Sequence, residues 1–260
     1  MVMAFFRDRR RSTYLDEPFA PLQERVLRSH MAAYSRLNDA ERMRLVQLAR
    51  VIIAEKAWEG CDGLDLTEDM KLIIAAQAAM LLLGLGVDPR RDAVYPNVKT
   101  ILVYPSGFIA QTPRMEGAGV VTEGSANLGE AWYSGPVIVS WRDAVMGGAD
   151  DQDGRNLVLH EFAHKLDMLD GVVDGTPPLP ARGDYARWTR VMTVHFNDLR
   201  RAAQLRMPHV LNHYGATNAA EFFAVSTEAF FERSVPLKQY LPELYQVLAE
   251  YYGQDPAGRV

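Results

Sequence analysis

The chain has little of what marks several large classes of protein. It contains one cysteine, Cys61, among 260 residues, which excludes an intrachain disulfide and fits a reducing compartment. Its longest apolar run, residues 72–85, is interrupted by Gln77 and is shorter than the roughly 20 residues that a membrane-spanning helix needs. We therefore predict a cytoplasmic protein without a membrane partner, in which residues 72–85 form a buried helix.

An excess of positive charge is also missing. The formal net charge is −5 and the isoelectric point is about 5.7, so no long-range attraction for nucleic acid is expected, and we predict no nucleic-acid partner. Basic residues concentrate only at 7–11, after the short apolar stretch 1–6, whereas a secretory signal carries its charges before a longer apolar run. We interpret residues 1–18 as a flexible N-terminus, with a short membrane-surface anchor as the alternative.

The most informative pattern is His-Glu-Phe-Ala-His at residues 160–164. In a helix, residues four apart lie about 40° round and about 6 Å along the axis, so His160 and His164 can converge on one metal ion. Glu161, beside that pair, can take a proton from a water whose pKa zinc lowers to roughly 7 and pass it to the leaving amine. The pattern predicts a zinc-dependent peptidase. The alternative is a core helix with two hydrogen-bonded histidines.

A catalytic zinc site needs a third protein ligand and one open position. One local candidate is Asp170, six residues after His164, where the extended HExxHxxGxxH motif has its last histidine. That motif has a glycine for its sharp turn where this chain has Asp167.

A second predicted helix, residues 218–232, offers three glutamates by type: Glu221, Glu228 and Glu232. Glu221 has a competing role, because it lies three residues after Asn218 and could close a capping box at the helix start. Spacing alone does not choose among these glutamates.

Three segments of the chain carry a resemblance to a known family. They are residues 156–167, which contain the histidine motif, residues 214–225, and Gly-Pro-Val-Ile-Val-Ser-Trp at 135–141. Through most of its length the chain resembles the Mlc titration factor A family, which looks like gluzincin peptidases related to the catalytic domain of lethal-factor-type toxins. The resemblance implies one Zn²⁺ ion held by His160, His164 and Glu221.

The resemblance also implies that Glu161 is the general base and that the hydroxyl of Tyr214 lies near the scissile carbonyl. A phenol there can donate a hydrogen bond to the oxyanion, whereas the alternative is an ordinary buried aromatic residue. Asp167, one turn past the histidines, could orient an imidazole through its other nitrogen, or it could cap the helix or pair with a lysine.

The overall pattern predicts an α+β, zincin-like fold. Its hydrophobic content of 48% supports a sizeable core, and we expect one domain over 19–260, with a helical N-terminal third (19–90) and a catalytic part (91–260). Periodicity predicts helices at 19–35, 39–58, 67–83, 184–206 and 237–252. Strands at 100–105 and 136–141 and turns or irregular strands at 115–135 give a small mixed sheet, followed by the HExxH helix and a helical C-terminal part. Substrate could extend as a strand beside 136–141 or 118–122.

The resemblance further suggests aminopeptidase-like cleavage of short peptides. It also suggests a different class of function, since the family's namesake sequesters the Mlc repressor of sugar-uptake genes. The chain would then be an interaction protein that binds a repressor of the Mlc type, with or without peptidase activity. Survival of partner binding in Glu161→Ala would separate the two functions.

Overall fold

The computed structural model describes residues 10–106 and 135–259. Its N-terminal part is helical, as the sequence predicts, with helices α1 Pro21–His30, α2 Asp39–Glu55 and α3 Glu68–Met80 and a 3₁₀ helix at Ala32–Arg36. Side chains fix two of the starts: Asn38 and Glu41 form a capping box at α2, and Thr67 accepts the backbone N–H of Met70 at α3. From Leu72 to Met80 every residue of α3 is buried, Gln77 included, which confirms the predicted core helix.

Residues 10–15 are helical and are held against this part by Arg11. The buried Arg11 guanidinium pairs with Glu55 at 2.7 Å and donates to the backbone carbonyls of Pro89 and Asp92. The first nine residues of the segment predicted to be flexible lie outside the described residues.

Three short strands, β1 Ala57–Gly60, β2 Thr100–Tyr104 and β3 Val137–Ser140, form a sheet in the order β1-β2-β3. Both pairs are parallel, with Trp58 opposite Ile101 and Ile101 opposite Val137. The predicted mixed sheet is therefore wrong for the described strands. Parallel neighbours require crossover connections, and α3 lies in the connection between β1 and β2. The predicted helix 39–58 also ends earlier, at Glu55, because β1 follows it.

The second half of the chain is again mostly helical. Its helices are α4 Trp141–Ala149, α5 Leu157–Asp167, α6 Asp184–Leu205, α7 Ala219–Glu232, α8 Ser234–Tyr240 and α9 Pro242–Tyr252. The single helix predicted at 237–252 is divided at Leu241, because Pro242 restricts the residue before it and starts a new helix.

The described part is thus mostly helical with one small sheet, as expected of an α+β protein. Its core is continuous: α3 packs against both α2 and α5, and α5 packs against α7 and β3. In the two described ranges, no helix combines the length and the hydropathy needed to cross a membrane. Residues 107–134, which include most of the region predicted as turns and the candidate strand 118–122, lie outside the described residues.

Candidate metal centre

Helix α5 carries the histidine pair and is fixed at both its start and its buried face. The Asn156 side chain accepts the backbone N–H of Leu159 at 3.0 Å and so caps the helix. At Gly147 of α4, a Cβ would lie 2.9 Å from the Cα of Asn156, so this glycine allows the two segments to approach. Phe162 is fully buried and meets the edge of the Tyr95 ring at 4.7 Å between centroids. Burial of that face turns residues 160, 161 and 164 the other way.

His160, His164 and Glu221 come together on the opposite face. Nε2 of His160 lies 3.0 Å from Oε2 of Glu221 and 3.2 Å from Nε2 of His164, and the third separation, His164 to Glu221, is 3.5 Å. Tetrahedral zinc with bonds near 2.0–2.1 Å separates its ligand atoms by about 3.3 Å. Within the described ranges this is the one group of three or more His, Cys, Asp or Glu residues that could hold a metal ion.

Glu221 reaches the histidines from the first turn of α7. The Asn218 side chain accepts the Glu221 backbone N–H at 2.9 Å, so the start of α7 is capped. The Glu221 carboxylate points at α5, the helix with the histidine pair, which we call the metal helix. Burial opposes the charged forms, but hydrogen bonds prevail. Those to Glu221 and Glu228 raise the pKa of His160 to about 10, and those to His160 and His164 lower the pKa of Glu221 to about 2. The three side chains therefore favour a positive charge in the space between the two imidazoles and the carboxylate.

Glu228, one of the glutamates considered as a ligand, instead contacts the far side of His160. Its Oε1 lies 2.7 Å from Nδ1 of His160, and its Oε2 accepts the backbone N–H of Asn156 at 2.7 Å. A carboxylate on Nδ1 fixes that ring and leaves Nε2 for a metal. The sequence signal was its position seven residues after Glu221, on the same helical face, but spacing did not distinguish a ligand from such a support.

Comparison with known proteins agrees with this arrangement. Residues 5–253 match the model of a protein family described as glucose-regulated metallo-peptidase M90. The chain belongs to this family. An uncharacterised protein of Synechocystis is 37% identical over 251 residues, covering 96% of this chain and 90% of that protein. Mlc titration factor A of Serratia proteamaculans is 33% identical over 230 residues, covering 87% and 85% of the two chains.

Glu161 and Tyr214 border the metal cluster of this M90 chain. Glu161 is partly buried on α5, and burial raises its pKa while His160 and His164 oppose that shift. Tyr214 lies in the 3₁₀ helix His213–Ala216 with its ring centroid 6.0 Å from that of His160. Its side chain is 53% exposed, unlike the buried aromatic residue of the alternative interpretation. Both residues thus lie beside the His160, His164 and Glu221 cluster.

The two aspartates after the motif lie elsewhere. Asp170 is exposed and accepts the backbone N–H of Val172 at 3.0 Å, and it is not part of the metal cluster. Asp167 is fully buried at the end of α5, where burial raises its pKa to about 6 and its Oδ2 accepts the backbone N–H of Gly175. Its Oδ1 and Nδ1 of His164 both lack a hydrogen-bond partner among the described residues. Orientation of an imidazole by Asp167 stays a prediction.

Proposed function

We propose that this chain is a zinc-dependent peptidase. The observation that carries the proposal is the convergence of the His160, His164 and Glu221 ligand atoms, all within 4.8 Å of one another, in a member of a metallopeptidase family. Two imidazoles and one carboxylate suit zinc and leave a fourth position for water or substrate. This donor set supports a gluzincin-type site with one Zn²⁺ ion.

The surrounding residues supply the remaining chemistry. Bound zinc would lower the pKa of a water molecule and polarise the peptide carbonyl. Glu161 would accept a proton from that water while the water oxygen bonds to the carbonyl carbon. Glu161 would then deliver this proton to the amine nitrogen as the C–N bond breaks. The Tyr214 hydroxyl donates to the carbonyl oxygen while it carries negative charge. Glu228 keeps the His160 ring in place.

We propose that the substrates are short peptides and that cleavage is aminopeptidase-like, as the family resemblance suggests. We also propose that the reaction takes place in the cytoplasm. Strand β3 packs against the metal helix, so an extended peptide beside this strand would run close to the metal cluster. A free amino terminus at the cleaved end is the feature that separates an aminopeptidase from an endopeptidase. Acetylation of the terminal amine of a test peptide would abolish cleavage by an aminopeptidase.

Zinc content and hydrolysis test the proposal together. We expect near one zinc per chain in the wild type and in Glu161→Ala, and little in Glu221→Ala. Hydrolysis of a peptide library should fall at least about 100-fold in Glu161→Ala, because a general base contributes 10²–10⁴-fold. Glu243→Ala, an exposed change on α9, is the control for loss of a carboxylate. Equal zinc in Glu221→Ala and Glu243→Ala would refute Glu221 as a ligand.

The names of several relatives support a second candidate function. Proteins that share 33% identity with this chain are called Mlc titration factor A, and we propose that this chain also binds a sugar-responsive repressor of the Mlc type. Glu161→Ala should bind purified Mlc with wild-type affinity, since loss of one proton acceptor in the site leaves the remaining surface intact. Absence of Mlc binding by the wild type would contradict this second function and leave the first untouched.

A further inference from the structure

A small cavity lies on the buried side of the metal helix, away from the three ligands. Its volume is about 20 Å³, which is enough for one water molecule. Helices α3, α4 and α7 and the start of α5 all contribute to its wall. The lining residues include Gln77, Gly148, Asn156, Leu159 and Glu232.

Two buried side chains at this cavity present oxygens without donors. Oε1 of Gln77 and both carboxyl oxygens of Glu232 have no hydrogen-bond partner among the described residues, although Gln77 is only 1% exposed and Glu232 7%. The orientation of the Gln77 amide is fixed, because its Nε2 donates to the backbone carbonyl of Ala144 at 3.0 Å. The atom left over is therefore an acceptor. Three buried acceptors meet at one cavity, and such groups are normally paired.

In the described part of the chain, no basic side chain pairs with Glu232 to balance a carboxylate. On its own helix Glu232 faces Glu228, which already binds His160 and Asn156. The loop before α5 adds Asp153 and, through its backbone, Arg155.

The basic side chains of the other described neighbours are directed away from Glu232. The cavity residue Asp151 is paired with Arg36, and Arg233 donates to the carbonyl of Val210. From α3 and α4 the cavity is lined by Gln77, Met80 and two glycines, none of them charged. An unpaired buried carboxylate is unfavourable, and a proton removes the charge.

Burial raises the pKa of Glu232 to about 9, and the neighbouring acids Glu228 and Asp153 add to that shift. The side chain of Asn156 and the backbone N–H of Arg155 lower the pKa without meeting hydrogen-bond geometry.

We propose that Glu232 is a neutral carboxylic acid whose hydroxyl donates, through one water in the cavity, to Oε1 of Gln77. Its other oxygen then faces the Asn156 amide. One proton and one water thereby pair two of the three acceptors, Oε1 of Gln77 and the protonated oxygen of Glu232, and remove the charge from the third. Glu232 is a positioning residue: it supports Asn156, which caps the metal helix and donates its backbone N–H to Glu228.

Infrared spectroscopy gives the direct test. At pH 7 the wild type minus Glu232→Gln difference spectrum should contain the carbonyl band of one protonated carboxylic acid. Gln77→Leu should move this band to higher frequency, because the hydrogen bond to Oε1 is lost. Absence of the band would overturn the proposal, and a band that Gln77→Leu leaves unmoved would refute Gln77 as the partner.

Stability against pH gives an independent test. A carboxyl group whose folded pKa lies above its unfolded pKa binds a proton on folding, so its folded state loses stability as pH rises from the unfolded value towards the folded one. Glutamine needs no such proton, and its amide can donate to Gln77. Glu232→Gln should therefore gain in Tm relative to the wild type as pH rises from 5 to 8, reaching at least about 3 °C at pH 8.

The control is Glu17→Gln, an exposed change near the start of the described residues, which should show no such gain in Tm between pH 5 and 8. A Tm of Glu232→Gln that falls relative to the wild type as pH rises would show that the carboxylate is the folded form, and would overturn the proposal.

Zinc binding tests the positioning role, which is the one part of this inference that rests on the proposed function. Glu232→Gln should keep the wild-type zinc affinity, whereas Glu232→Ala, which removes the support of Asn156, should weaken it about 2- to 3-fold, because Asn156 and Glu228 separate Glu232 from the ligand His160 and its effect is therefore smaller than the 10–100-fold of a direct partner. Equal affinities for Glu232→Ala and the wild type would refute positioning. A wild type that binds no zinc would refute the proposed function, while the infrared and stability tests would still decide the state of Glu232.

Discussion

The two ends of α7 hold carboxyl groups in opposite states. The Glu221 side chain in its first turn is 12% exposed and Glu232 at its end is buried, so both lie mostly away from solvent, yet the pKa of Glu221 falls to about 2 and that of Glu232 rises to about 9. Burial acts in the same direction on both. Glu221 meets two imidazoles, whereas Glu232 meets no hydrogen-bond donor in the described part of the chain. Burial raises the pKa of both carboxyl groups, and the two imidazoles reverse that effect only at Glu221, so the partners of a buried carboxyl group decide whether it keeps its charge.

The largest predicted difference is in zinc affinity, when the same Glu→Gln substitution is made at both positions. Glu221→Gln removes the charged ligand atom, and we expect zinc affinity to fall by more than about 100-fold, since residues behind the ligands alone contribute 10–100-fold. Glu232→Gln should leave zinc affinity within about 3-fold of the wild type. Competition with a chelator of known affinity measures both. Equal losses in the two variants would mean that the two carboxyl groups act alike and that the comparison is wrong.

A metal-dependent Tm sharpens this expectation. Zinc that binds only the folded chain stabilises it by RT ln(1 + [Zn]/Kd), about 4 kcal/mol at 1,000 times Kd. Wild type and Glu232→Gln should therefore rise in Tm with zinc and fall with a chelator, whereas Glu221→Gln, whose Kd is at least about 100-fold higher, should gain at most about 1.4 kcal/mol, a third of the wild-type response, at the same zinc concentration. A chelator response in Glu221→Gln equal to that of the wild type would point to a metal site elsewhere.

Glu228 is the intermediate case on the same helix. Its carboxylate touches a ligand but not the metal position, and it also accepts the Asn156 backbone N–H. We expect Glu228→Gln to weaken zinc 10–100-fold, about 1.4–2.7 kcal/mol, because Nδ1 of His160 loses a charged acceptor. The measurement is again chelator competition, with Glu243→Gln as the control. A loss as large as that in Glu221→Gln would indicate that Glu228 binds the metal directly.

The sequence predicted the elements of this site better than their arrangement. The spacing of His160, Glu161 and His164 placed them on one helical turn because helical geometry is local. The choice among Glu221, Glu228 and Glu232 came from the family resemblance. Which glutamate reaches the histidines depends on how α7 crosses α5, and that crossing follows from packing over a long sequence separation.

Contacts over a long sequence separation also explain why one strand of the sheet was not predicted. The strands at 100–105 and 136–141 are predicted from β-branched residues and flanking turns, but β1, with the sequence Ala-Trp-Glu-Gly, has no β-branched residue, and its first two residues fall in the predicted helix 39–58. Its pairing is fixed by the crossover through α3. The neutral state of Glu232 was equally hidden, because it depends on Gln77, which is 155 positions away in sequence and was recognised only as an interruption of an apolar helix.

The smallest predicted effect concerns Asn156, which is adjacent to both Glu228 and Glu232 in the last part of α7. Its side chain caps the metal helix, but its link to Glu228 is a backbone N–H that any residue except proline provides. Asn156→Ala should therefore cost about 1 kcal/mol of stability, a Tm decrease of about 2–4 °C, and change zinc affinity by less than about 3-fold. Asn156→Ser, which keeps a capping oxygen, should lose less stability. A loss of zinc affinity in Asn156→Ala as large as that in Glu228→Gln would mean that the side chain, and not the backbone, transmits the support from this buried region to His160.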